Sequence, residues 1–255
     1  MGAIGPWWQS ARPPWRGWGL ALPSRCAICQ AWPAQPVCDA CVARFAPPVP
    51  RCTGCALPVP AGVARCSACL REPPVLAQCI AAVPYSWPWR GLLARFKFQA
   101  QPGWDRPLAL LLRSSSGAED LLHEADAVLP IPLSRERLAE RGYNPAWQLA
   151  RALAPQQADA GLLLRIRHSA AQSTLARSER LRNLHGAFAL EPLRARQVHG
   201  RHLLLVDDVM TSGATLHSAA QALRQAGAAR VSALVFARTE AHMDDAVQPP
   251  AADAP

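Results

Sequence analysis

The sequence predicts an α/β protein: an open parallel sheet with helices on both faces, plus a small cysteine-rich module toward the N-terminus. Three observations predict it. From residue 126 onward, short apolar runs alternate with helical periodicity over about 110 residues, the pattern that builds parallel sheets through β-α-β crossovers. Within that stretch, Leu203-Leu204-Leu205-Val206 has the continuous apolar character of a strand buried on both faces. Upstream, eight of the nine cysteines form four CxxC pairs.

Taken in order, residues 1–23 hold Trp7, Trp8, Trp15 and Trp18 among Pro, Gly and Arg without a continuous apolar stretch, so a disordered leader is expected rather than a secretory signal. Residues 24–72 contain all four CxxC pairs and few large apolar side chains. Such a segment cannot bury enough surface to fold without a staple. A boundary is expected near Arg71-Glu72-Pro73-Pro74. Residues 80–85 read as a short strand and 89–98 as a short helix. Residues 108–112 and 118–123 read as further helical pieces around a Ser-rich joint.

Residues 127–132 read as a strand that ends in prolines, and 135–153 as a helix interrupted near Gly142-Tyr143-Asn144-Pro145. Residues 162–166 and 188–190 are strand candidates flanking a polar, Arg-rich stretch at 170–184 that suits a long mobile loop. After the strand at 202–206 comes a helix over 214–226 closed by Gly227, then a last strand at 231–237. The Pro/Ala/Asp-rich residues 244–255 are read like the leader, with a disordered tail from about 241. No run of 18 apolar residues occurs, so no membrane span is expected, and the chain is expected in the cytoplasm.

The formal charge is +9, and Lys97 is the only lysine. Between Pro130 and Arg201, twelve arginines face five acidic residues, so a net +7 lies in one segment. A basic surface there suits phosphates, in a small molecule or in a nucleic-acid backbone, although solvated helix faces account for it equally well.

The densest chemistry lies at 203–215. Two carboxylates, Asp207 and Asp208, end a buried strand, and Thr211-Ser212-Gly213-Ala214-Thr215 leads into a helix. Ligands bind at the C-terminal ends of parallel strands. A glycine-bearing loop at a helix N-terminus offers backbone N–H groups and the positive end of the helix dipole to a phosphate. The acid pair one step earlier suits the vicinal hydroxyls of a ribose whose 5-phosphate sits in the loop. The lysine of a Walker loop is absent.

Each CxxC pair is a half-site for tetrahedral zinc, so Cys26, Cys29, Cys38, Cys41, Cys52, Cys55, Cys66 and Cys69 predict one or two structural zinc ions. Sequential pairing, 26/29/38/41 with 52/55/66/69, is the simplest, and an interleaved pairing stays open. Disulfides are the alternative and would imply an oxidising compartment. Cys79 reads as a packed small side chain.

Residues 203–215 match, at every position, the 13-residue phosphoribosyl pyrophosphate (PRPP) motif of type I phosphoribosyltransferases. Together with the cysteine module, Phe96-Lys97-Phe98, Leu129-Pro130-Ile131-Pro132-Leu133-Ser134, Arg137, Arg141-Gly142-Tyr143-Asn144, Arg165, Gln172, Arg177, Arg180, Asn183 and Phe188, the chain resembles the ComF family (ComFC/GntX-like proteins) over residues 26–238.

That resemblance implies a double zinc ribbon at 24–72 and a type I phosphoribosyltransferase-like domain at 79–240, with a hood at about 79–112. It implies a ribose 5-phosphate site at Asp207, Asp208, Thr211, Ser212, Gly213, Ala214 and Thr215. It places Ser134, Arg137, Arg141, Arg177 and Arg180 toward pyrophosphate or a DNA backbone. Pro145 stands where the family usually carries Gln, which implies a shortened or kinked helix.

Three functions follow from the resemblance. The first is an accessory of natural competence that binds a phosphoribosyl ligand and single-stranded DNA and works with other competence proteins. The second is an active transferase using PRPP and magnesium on an unidentified acceptor. The third is a PRPP-binding regulator. About 18 residues follow the last predicted strand, with no recognisable base-specificity segment, which weighs against ordinary nucleobase salvage.

Overall fold

The computed structural model describes residues 24–99, 101–166 and 186–240. The expected leader, the tail, and the loop with Arg177 and Arg180 lie outside the described residues. The described helices are α1 (Asp39–Phe45), α2 (Ser67–Arg71), α3 (Trp89–Phe98), α4 (Asp105–Arg113), α5 (Ala118–Glu124), α6 (Arg135–Arg141), α7 (Pro145–Leu153) and α8 (Ala214–Gln225). The described strands are β1 (Gln78–Pro84), β2 (Ala127–Pro130), β3 (Leu163–Arg165), β4 (Phe188–Leu190), β5 (His202–Met210) and β6 (Arg230–Arg238). None of these helices is long and apolar enough to cross a membrane.

The chain divides into two compact units, one up to Val42 and one from Ala43. The cysteines expected together in a module at 24–72 are therefore shared between them, one quartet in each. In the smaller unit, Ser24 and Ala34 exchange both backbone hydrogen bonds at 2.8 Å, which closes a knuckle around Cys26 and Cys29. Asp39 in the first turn of α1 complements the helix dipole, and Cys41 in the same turn is buried.

The larger unit is built on a four-stranded, all-parallel sheet of order β1-β6-β5-β2. Leu203, Leu204, Leu205 and Val206 are all fully buried, as are Ala233, Leu234, Val235, Phe236 and Ala237 of the neighbouring β6. Both central strands are covered on both faces, which is why they carry no polar alternation. On one face Leu203, Leu205, Ala233 and Val235 join Leu216, Ala219, Ala220 and Leu223 of α8. On the other face Trp89 of α3 meets the Phe236 ring at 5.9 Å, edge-on. Gly227, at φ 97°, ends the last turn of α8 and turns the chain into β6.

Three expectations are corrected or refined. The strand candidates at 162–166 and 188–190 do not enter the parallel sheet; β3 and β4 pair antiparallel with each other. Each is only three residues long, buries one of them and leaves two half-buried, too exposed a pattern for a doubly covered sheet. The interruption expected near residues 142–145 is present, and of the two outcomes expected at Pro145 the helix is shortened rather than kinked. Gly142, at φ 75°, closes α6, Asn144 caps the next helix by accepting from Ala146 N at 3.0 Å, and Pro145 occupies the first position of α7, where no N–H is needed. The segment expected to open the hood begins instead with β1, an edge strand of the main sheet.

Candidate functional site

The site sits at the C-terminal end of β5. Asp207 is half-buried there and Asp208 buried, and the Asp208 N–H donates to Asp207 Oδ1 at 2.8 Å. Burial and the neighbouring Asp208 carboxylate push Asp207 up to about 7, against the pull of Lys97 and Arg165. Lys97, on α3, reaches Asp208 Oδ1 at 2.7 Å in an ion pair only 14% and 10% exposed. Arg165, on β3, is held below its ordinary value by burial and by Arg137, with Asp207 acting the other way. Two acids and three cations thus converge on one strand end.

The loop that follows is shaped by Gly213. It lies at φ 80°, and a Cβ there would stand 2.4 Å from Met210 Cε and 3.2 Å from His217 Nδ1. The Gly213 carbonyl is met by His217 Nδ1 at 2.8 Å, and Ser212 Oγ accepts from Ala214 N at 3.4 Å. Thr211 is exposed and Ser212 and Thr215 half-buried, so three hydroxyls line the start of a 12-residue helix. The first-turn N–H groups of α8 have no helical partners, which makes this loop an anion cradle. Gly213→Ala is expected to cost at least about 1–2 kcal/mol from the left-handed backbone alone. The cost is read as a lowered melting temperature and a weakened anion site.

Ser134 is buried and caps α6, accepting from Arg137 N at 3.4 Å. Arg137 is half-buried and lies in the electrostatic range of Arg165. Arg141 lies over the Phe98 ring at 4.6 Å, and Tyr143 lies 6.1 Å from the Phe96 ring. Among the described residues only three buried side-chain polar atoms lack a partner, and two of them are Arg141 Nε and Tyr143 Oη. Unmet polar atoms are costly away from water, and Tyr143 lies within the electrostatic reach of Asp208. Burial raises the Tyr143 phenol, with Asp208 adding to it and Arg141 opposing it. Lys97, Tyr143 and Arg238 are absent from the site residues the sequence suggested. Lys97 had two signals, as the only lysine in an arginine-rich chain and as the centre of the Phe96-Lys97-Phe98 motif.

The cysteines gather sequentially, Cys26/Cys29/Cys38/Cys41 and Cys52/Cys55/Cys66/Cys69, with all four sulfurs of each set within 4.8 Å. Closest sulfur pairs stand at 3.6–3.8 Å. A disulfide needs about 2.05 Å, whereas a tetrahedron with ~2.3 Å zinc–sulfur arms has edges of about 3.8 Å. Burial opposes ionisation of Cys26, but the backbone N–H groups of Cys29, Cys38 and Ile28 outweigh it and bring the thiol down to about 6. The same balance, with the N–H groups of Cys66, Gly54 and Cys55, brings Cys52 to about 7. Both quartets fit structural zinc. Displacing the metal with a thiol-blocking mercurial is expected to release two zinc ions per chain.

An open parallel sheet whose strand end carries an acid pair and a glycine-shaped loop at a helix N-terminus has the form of a phosphoribosyltransferase-type domain, and residues 138–249 match the phosphoribosyl transferase domain family. Competence protein F of Haemophilus influenzae is 32% identical over 176 residues, covering 66% of this chain and 76% of that protein. DNA utilization protein YhgH of Escherichia coli K12 is 32% identical over 180 residues, 67% of this chain and 76% of that one. Competence protein ComFC of Bacillus subtilis is 32% identical over 174 residues, 67% and 68% respectively. The chain belongs to the ComF family.

Proposed function

We propose that this chain binds a 5-phosphoribosyl ligand, PRPP or a relative of it, at residues 207–215, and serves DNA uptake by handling single-stranded DNA in the cytoplasm alongside other competence proteins. One observation carries the ligand: an acid pair at a strand end, beside a loop whose Gly213 leaves no room for a Cβ at the N-terminus of α8. Asp207 and Asp208 hold the ribose hydroxyls, and Thr211 to Thr215 hold the 5-phosphate. Arg137, Arg141 and Tyr143 face the pyrophosphate side, and magnesium accompanies PRPP. The DNA role is supported by the names of the relatives and by the net +7 between Pro130 and Arg201.

Calorimetric titration with PRPP and magnesium, and separately with a 5′-phosphorylated oligonucleotide, tests both parts. PRPP binding with competition by the oligonucleotide is expected, and DNA affinity should fall steeply with salt. An absence of heat with PRPP would remove the ligand reading, and salt-independent DNA binding would remove the backbone reading.

A second reading, an active transferase on an unidentified acceptor, is favoured by Asp207. A carboxylate titrating near 7 can take a proton from an attacking nitrogen at neutral pH. PRPP-dependent pyrophosphate release across bases and amines decides it.

A further inference from the structure

The second cysteine quartet is built into the wall of the phosphate loop. Cys52, Cys55 and Cys69 belong to the same buried cluster as Cys79, Met210, Ala214 and Leu216. Arg238, the last residue of β6 and only 4% exposed, joins the two. Its Nε donates to the carbonyl of Cys55 at 2.8 Å. Its Nη1 donates to the carbonyl of Met210 at 3.1 Å and to that of Thr211, the first residue of the loop. One guanidinium therefore ties a cysteine of the quartet to the entry of the phosphate loop.

Two further links run in parallel. The Cys79 N–H donates at 2.7 Å to the carbonyl of Thr53, which lies between Cys52 and Cys55, and Cys79 Sγ approaches Met210 Sδ at 3.6 Å. The Met210 methyl in turn fills the space beside Gly213 that a Cβ would need. Arg51 donates to the Ala56 carbonyl at 3.0 Å and reaches Glu240 at 3.2 Å. Ala56 follows Cys55 directly and holds φ 57°, a left-handed backbone that a non-glycine residue keeps only when its surroundings impose it. The Ala56 N–H donates to the Cys52 carbonyl at 2.8 Å, and a metal clasped by Cys55 would add a further constraint on the same turn.

We propose that the second quartet is a buttress of the phosphoribosyl loop, acting through Arg238 as a positioning residue, so that metal occupancy at Cys52/Cys55/Cys66/Cys69 sets the affinity of the loop for its ligand. The first quartet lies in the other compact unit. The proposal rests on the reading of residues 207–215 as the ligand site.

The test uses the full chain with zinc bound and three variants: Cys66→Ser, Cys38→Ser and Arg238→Lys. Three quantities are measured: zinc per chain, amide hydrogen exchange of residues 211–215, and PRPP affinity in the presence of magnesium. Cys66→Ser is expected to lose one zinc, to exchange faster at the loop and to bind PRPP about tenfold more weakly. Cys38→Ser is expected to lose one zinc with neither change. Arg238→Lys keeps a charge but cannot span both carbonyls, so it is expected to keep both zinc ions and still reproduce the loop exchange and the tenfold loss.

Unchanged loop exchange in Cys66→Ser lacking its zinc, or in Arg238→Lys, overturns the proposal. If the wild type itself fails to bind PRPP, the ligand reading fails and the exchange measurement alone decides the coupling. If a variant does not fold, stepwise chelation of the wild type replaces it. Loop exchange that rises ahead of β5 exchange supports the buttress; loop exchange rising only together with β5 overturns it.

Discussion

Asp207→Asn raises the melting temperature of the ligand-free protein at pH 8, and the paired change Asp207→Asn with Asp208→Asn removes PRPP binding. The stability effect follows from proton linkage. Asp207 titrates near 7 in the folded chain and at its ordinary 3.8 when unfolded. Below 3.8 both states hold the proton. Between 3.8 and 7 the folded state binds a proton that the unfolded state has released, so stability declines as pH rises. Above 7 the folded protein carries the full cost of a charge set beside Asp208. Asparagine has no such slope, so the gain of the variant over wild type is near zero at pH 4 and largest above pH 7. A gain of about 1 kcal/mol corresponds to roughly 2–4 °C in a chain of this size.

The binding effect has the opposite sign. Hydrogen bonds to a charged acceptor contribute about 1.5–3 kcal/mol each. Losing both carboxylates should therefore weaken PRPP by on the order of 100-fold or more. PRPP that still raised the melting temperature of the double variant would place the ligand elsewhere. Asp207 thus lowers the stability of the ligand-free fold while equipping the site, the trade expected where function needs charges that folding does not.

Much of this site is written locally in the chain. The apolar run at 203–206, the acid pair and the loop at 211–215 are contiguous, so period and residue type suffice to place a buried strand, a turn with a required glycine and a helix N-terminus. The CxxC spacing gives the half-sites but leaves two ways to pair them, and the structure gathers them in the simpler, sequential way. What escapes a linear reading is what the sheet brings together. Lys97 and Asp208 lie far apart in the chain and meet only because α3 packs over the ends of β5 and β6. Arg238 reads as the polar end of an apolar strand, yet it is among the few buried charged residues. β3 and β4 carry strand-like residues, but propensity says nothing about which partner or direction each will take. The division of the two quartets between compact units depends on Cys52, Cys55 and Cys69 packing on the sheet, and CxxC spacing is blind to that.

Lys97→Met is the substitution expected to destabilise the fold most. The methionine keeps most of the aliphatic stem of lysine, so the packing of α3 changes little. The Nζ that sits 2.7 Å from Asp208 Oδ1 is lost. Asp208 then remains buried beside Asp207 with its nearest cation gone. Removing one partner of a buried pair costs about 3–5 kcal/mol because the other charge is left uncompensated. The attraction of Arg165 for Asp207 and the residual exposure of the pair favour the lower end, so a loss of about 3 kcal/mol is expected, or roughly 6–12 °C in melting temperature.

Two further measurements separate this electrostatic cause from a packing defect. Lys97→Met combined with Asp208→Asn should recover most of the loss, because the orphaned charge leaves with its partner; a packing defect would persist in the double variant. Lys97 also pulls Asp207 downward, so its removal should shift the midpoint of the Asp207-dependent stability slope to higher pH. A Lys97→Met protein as stable as wild type at pH 8, with that midpoint unmoved, would show that the only lysine of the chain does not hold the acid pair in place.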